Sequence, residues 1–172
     1  GGAGRGRGPA GARALGVGAA LMVKVNERAR SRSAARLAAV QALYQQEMEG
    51  TALPKLLDEF HQHRLGKEIE DVRYADAEVS FFDDLVKGVD ARRAEIDAAI
   101  TARLAEGWNL ERLDRPMRQV LRCGTYELIA RIDVPTATVI SEYVDVADAF
   151  YAKREKGFVN GLLDAVAKAV RG

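Results

Sequence analysis

Residues 81–89 read FFDDLVKGV, with Phe81, Phe82, Leu85, Val86 and Val89 at positions i, i+1, i+4, i+5 and i+8. Apolar residues at that spacing recur with the 3.6-residue period of a helix, so one side of the segment is set to be buried. The paired carboxylates Asp83 and Asp84, followed by Lys87, are expected on a solvated helix face rather than as an acid–base pair. The helix is predicted to begin near Asp76. Ile96, Ala99, Ile100 and Leu104 continue the pattern, as one long helix bent near Gly88 or as two in series, until Gly107-Trp108-Asn109 breaks it.

The same period extends toward both termini. Downstream, Asp114 and Pro116 mark a start, and Met117, Val120, Leu121, Gly124 and Leu128 form one stripe in which Gly124 permits close approach of a neighbour. Asp133-Val134-Pro135 stops that helix, because the residue before proline is pushed out of the helical region. Thr136 can cap the next one, with Ile140, Tyr143, Val144, Ala147 and Tyr151 inward, and the last helix takes Phe158, Val159, Leu162, Leu163, Val166 and Val170. Upstream, Gly66 and the segment GKEIEDVRYAD read as a loop, and Pro54 suits the first turn of a helix carrying Leu53, Leu56, Leu57 and Phe60. A first helix is predicted over 33–48, capped by Ser31 or Ser33, with Leu37, Val40, Leu43 and Tyr44 at helical spacing and Gly50 at its end. No segment alternates with period two for long enough to make a strand. The pattern predicts an all-α protein, a compact bundle of six or seven helices.

With 172 residues, 48% of them hydrophobic, the chain can build a core without staples, as one domain or two small packed subdomains. Its 26 basic and 25 acidic residues nearly cancel, but they are segregated. Residues 1–36 hold eight Lys/Arg and one acid, Glu27, so a basic arm precedes a mildly acidic body. Residues 1–27 form a glycine- and arginine-rich leader expected to be disordered, with Met22 available as a start, ahead of a helical domain over 28–171. Cys123 is the only cysteine, which excludes an internal disulfide and points to a reducing compartment, the cytoplasm. No apolar run approaches the roughly 20 residues that span a bilayer. Residues 14–25 have some signal-peptide character but are interrupted by Lys24, and the Arg-rich, acid-poor leader also shares features with organelle transit peptides.

The chemistry concentrates in two places. RARSRSAARLAAVQALY, residues 28–44, puts Arg28, Arg30, Arg32 and Arg36 within nine positions and Tyr44 beyond them. Arginines neutralise phosphates and release counterions, and an aromatic face stacks an unpaired base. The bland alternative is a solvated surface helix. Lys153, Arg154 and Lys156 cluster just before Gly157-Phe158 at a helix start, where open amides favour an anion. Phe158 fits either a base stack or the core. Arg115, Arg118 and Arg122 form a third basic group, in which Arg122 can equally pair with Glu127 or another acid. His61 and His63, two apart, point to different helix faces and read as solvated residues rather than metal ligands. Cys123 reads as a small buried hydrophobe. Gly157 and Gly161 lack the Lys-Ser/Thr of a nucleotide loop. Neither an active site nor a cofactor is expected.

ARLAAVQALYQ, FFDDLVKGV, LDRPMRQVLRCGTYELIARIDVP and ISEYVDVADAFYAKREKGFVNGLLDAV, in this order over residues 28–171, resemble the NusB family. That resemblance implies two packed helical subdomains and no catalysis. It implies binding to the boxA element of ribosomal RNA leader transcripts together with NusE, the ribosomal small-subunit protein S-ten, within an antitermination complex on RNA polymerase. The family's RNA contacts carry over to Arg28, Arg30, Arg32, Arg36, Tyr44, Lys153, Arg154, Lys156 and Phe158. Pro116-Met117 departs from the residues that relatives often carry there. Some relatives self-associate through helical faces, so a homodimer is a further expectation. Two rivals are an N-terminal fragment of a ribosomal RNA cytosine methyltransferase, which requires a downstream cofactor domain, and a protein-binding helical adaptor.

Overall fold

The computed structural model describes residues 9–66 and 72–172, with side chains from residue 27 onward, Tyr74 excepted. Among these residues it contains seven α-helices and no strand: α1 (Pro9–Glu49), α2 (Leu53–His63), α3 (Val72–Ala91), α4 (Arg93–Thr101), α5 (Arg115–Ala130), α6 (Thr136–Asp148) and α7 (Lys153–Val170). A single 3-10 turn, Leu110–Arg112, leads into α5. The expected apolar sets account for most of this. Phe81, Phe82, Leu85, Val86 and Val89 are all buried, and Phe60 of α2 stacks on Phe82 with ring centroids 5.4 Å apart. The pattern across α3 and α4 resolves into two helices in series, with Arg92 between them.

The first helix is longer than predicted. It starts at Pro9, so residues 9–27, expected as a disordered leader, continue α1; residues 1–8 lie outside the described residues. Proline is tolerated at a first helical position, no further proline interrupts the segment, and extending an existing helix avoids the cost of a new nucleus. Ser31 and Ser33 therefore sit inside α1 and cap nothing. The Ser31 hydroxyl donates to the Arg28 carbonyl at 2.8 Å, and the Ser33 hydroxyl to Glu142 at 2.8 Å. The inward face of α1 also differs from the predicted stripe. Ala35, Ala38, Ala39 and Ala42 are buried beside Val40 and Leu43, while Leu37 and Tyr44 are half-buried. Small residues let α1 lie close against its neighbours. The helix ends at Gly50, whose φ of +68° a side-chain-bearing residue rarely adopts. Part of the predicted loop, 67–71, falls outside the described residues, and α3 begins at Val72 rather than near Asp76.

Helices α1–α3 pack together, α4–α7 form a second group, and α5 joins them by touching α1, α3, α4, α6 and α7. It is enclosed nearly all round: Met117, Val120, Leu121, Cys123, Thr125, Tyr126, Glu127 and Leu128 are buried in addition to Gly124. A Cβ on Gly124 would come within 2.8 Å of Leu163 Cδ1 on α7, so that expected close approach is present. Gly88 on α3 makes room in the same way for the ring of Tyr126. At the ends of the last helix the expected stripe gives way, because Phe158 and Val170 are exposed.

Candidate nucleic-acid interface

Arginines spaced two to four residues apart on a helix cannot all face one way, since each step turns the chain by about 100°. Arg28 and Arg30 are exposed and make no ion pair with the described residues. Arg32 is half-buried, its guanidinium 5.0 Å from the ring centroid of Phe81. Arg36 turns inward.

The burial of Arg36 removes it from the interface. Its residue is 2% exposed; Nε donates to Glu127 at 2.7 Å and Nη2 to the other Glu127 oxygen at 3.2 Å. Tyr143 donates its hydroxyl to Glu127 at 2.8 Å, and Glu142 lies 3.4 Å from Arg36 Nη1. Burial acts to lower the Arg36 pKa, but the hydrogen bond and charge of Glu127, aided by Tyr143 and Glu142, outweigh it and raise the value. Arg36 thus holds α1 to α5 and α6 and cannot reach RNA in this fold.

Arg32 has the opposite environment. Burial lowers its pKa, and the neighbouring charges of Arg28, Arg131 and Arg36 lower it further, with Asp133 as a partial offset. Arg28 and Arg32 line a cleft of about 390 Å³ with Ser31, Arg73, Phe81 and Arg131. Arg131, at the end of α5, is 5.1 Å from the Phe81 centroid and pairs with Asp84 and Asp133 at 3.1 Å each. Cations pressed together above an aromatic ring make a site suited to a phosphate. Sequence reasoning missed Arg73 and Arg131. The only signal for Arg131 was its place in the quoted motif ahead of Asp133-Val134-Pro135.

The second group lies at the other end of α5. Lys153, Arg154 and Lys156 fall within the first turn of α7 rather than ahead of a helix start at Gly157. Lys153 and Arg154 are exposed without an ion pair among the described residues, while Lys156 pairs with Asp148 at 2.8 Å. Phe158 is 39% exposed and lines a cleft with Arg154, Trp108 and Tyr151, near Asp114 and Met117 at the start of α5. Helix α1 runs antiparallel to α5, since Arg36 meets Glu127 while Glu47 meets Arg118 and Gln119. The 16 residues of α5, about 24 Å at a helical rise, therefore separate the arm from the α7 cluster. Tyr44, twelve positions after Arg32, stands toward the α7 end.

The remaining candidates serve the fold. Arg118 pairs with Glu47, and Arg122 grips Asp97 through two bonds of 2.9 and 3.0 Å rather than Glu127. His61, expected in solvent, is 2.5 Å from Asp83, and Asp84 accepts from Tyr126 at 2.7 Å, so the two acids are engaged and not simply solvated. Cys123 is fully buried, and desolvation pushes its thiol pKa far up. No group of three metal-ligating side chains occurs among the described residues.

The NusB family pattern matches residues 33–168, most of the chain. This chain belongs to the NusB family. It is 70% identical over 139 residues to the transcription antitermination protein NusB of Sphingopyxis alaskensis, covering 81% of this chain and 93% of the relative. Against NusB of Novosphingobium aromaticivorans the identity is 72%, with 81% and 94% covered. Among solved structures, Thermotoga maritima NusB superposes with a TM-score of 0.66 at 33% identity, covering 80% of this chain and 90% of that one. A crystal structure of antitermination factors NusB and NusE in complex with double-stranded RNA matches with a TM-score of 0.67 at 28% identity, covering 81% and 98%. The NusB family consists of antitermination factors and not of enzymes. In this NusB-family chain the matched segment includes Tyr44 and the α7 cluster, while Arg28, Arg30 and Arg32 precede it.

Proposed function

We propose that this chain is a transcription antitermination factor of the cytoplasm that binds boxA-type RNA of ribosomal RNA leaders together with NusE, within a complex on RNA polymerase. The observation that carries the RNA reading is the cleft over Phe81, where Arg28 and Arg32 gather with Arg73 and Arg131. A related solved structure pairs NusB with NusE and RNA, which supports the same partners here. That complex holds a duplex, whereas the half-buried Tyr44 and exposed Phe158 favour a single strand, whose unstacked bases are open to stacking and edge recognition. The arm and the α7 cluster, at opposite ends of α5, would bind separate parts of one strand. No helix among the described residues is long and apolar enough to cross a membrane.

Fluorescence anisotropy tests this reading, using a boxA RNA, a scrambled strand and a duplex, each with and without NusE at two salt concentrations. Preference for single-stranded boxA, tightened by NusE, is the expected result. By linkage RNA must then strengthen NusE binding by the same factor. Equal, weak binding to all three RNAs, unaffected by NusE, would reduce the arm to a nonspecific patch. Self-association that covers the arm would be visible as RNA affinity falling with protein concentration.

A further inference from the structure

The cleft at the start of α7 contains side chains that the RNA-binding reading leaves unused, Trp108 and Glu155 foremost. Trp108 is 51% exposed, the most open large aromatic among the described side chains, and it shares a space of about 510 Å³ with Tyr151 and Phe158. Arg112 and Arg154 line the same space. The aromatic walls are tied in place. Arg112 stands 6.0 Å over the Trp108 ring while donating to the Gly107 carbonyl at 2.7 Å, and the Tyr151 hydroxyl donates to Asp114 at 2.7 Å.

Glu155 supplies the decisive detail. It also lines the cleft, and its Oε2 is shielded from solvent with no hydrogen-bond partner. The first turn of α7 favours its negative charge, but provides no donor to that oxygen. A shielded, unpaired carboxylate oxygen is costly, and a ligand N–H would remove the cost. Arg154 beside it makes no ion pair among the described residues.

We propose that this cleft takes one unstacked RNA base bearing an exocyclic amine. The base stacks on Trp108, its amine donates to Glu155 Oε2, and the adjoining phosphate faces Arg154. The assignment rests on the RNA-binding reading and adds Trp108 and Glu155 to its contacts. Adenine, cytosine and guanine each offer an amine donor. The N–H of uracil is flanked by two carbonyl oxygens, which would face the carboxylate unfavourably. An aromatic platform by itself would accept any base, so discrimination falls to Glu155.

Trp108 is the sole tryptophan, so its emission reports on this cleft alone. The full chain is titrated with end-labelled oligoadenylate, oligocytidylate and oligouridylate, reading anisotropy for binding anywhere and Trp108 emission for stacking here. Oligoadenylate and oligocytidylate should quench Trp108 more than oligouridylate does. Trp108→Ala should weaken oligoadenylate binding by about 5- to 150-fold, with Trp108→Phe recovering most of it. Glu155→Gln, whose amide both donates and accepts, should narrow the preference over oligouridylate. Anisotropy that reports RNA binding while Trp108 emission and Trp108→Ala affinity stay unchanged would overturn this cleft and leave the RNA reading standing. No anisotropy change with any RNA would overturn both.

Discussion

Arg30 and Arg36 are the same residue six positions apart on one helix, and their environments give them unrelated tasks. Arg36 is enclosed with Glu127 and Tyr143, so removing its side chain strands a buried carboxylate. Arg36→Ala should lose about 3–5 kcal/mol of stability in urea unfolding. Arg30→Ala should leave that midpoint in place, because an exposed, unpaired arginine holds nothing together. The tyrosines carry a pH signature. Burial and the bond to Asp84 push Tyr126 up to about 12, and burial raises Tyr143 and Tyr151 as well. Unfolded tyrosine loses its proton near pH 10, so between there and about 12 the folded chain binds more protons. Stability must fall as pH rises through that window. Urea midpoints measured across it should drop, and Tyr126→Phe should make the drop shallower.

Among the elements, α5 is the one on which the others depend. Its neighbours approach closely because Gly88 leaves space for Tyr126 and Gly124 leaves space for Leu163. Gly88→Ala puts a methyl group where the Tyr126 ring lies. Overpacking of this kind costs about 1–3 kcal/mol, to be read as a lowered thermal midpoint; an unchanged midpoint would mean that the ring moves aside freely. Propensity alone would favour alanine in a helix, so the expected sign comes from packing. Similar reasoning applies to α1, whose buried face carries four alanines beside Val40 and Leu43.

At the scale of the whole molecule, the fold spreads exposed cations between two ends of a shared helix and buries one arginine, Arg36, with Glu127 beneath them. Each phosphate contact on a single strand contributes about 0.7 to the slope of log K against log salt. The double variant Arg28→Ala/Arg30→Ala should therefore flatten that slope by about 1.4, with helicity unchanged by circular dichroism. A slope that does not move would take the arm out of the interface. The sequence by itself determined that the chain is helical, where most helices stop and which stripes are buried, because period, proline and glycine act over a few neighbouring residues. It also marked Arg28, Arg30, Arg154 and Phe158 as candidates, since charge and aromaticity belong to the residue. Only the tertiary structure decided which arginine of the arm is spent inside. Arg36 is buried because Glu127, 91 positions away, meets it in the core. In the same way Arg73 and Arg131 join the arm, and Trp108 and Glu155 share a cleft, only once α3, α5 and α7 have packed. Local periodicity carries no information about such meetings, because a contact between distant positions exists only after the helices between them have docked.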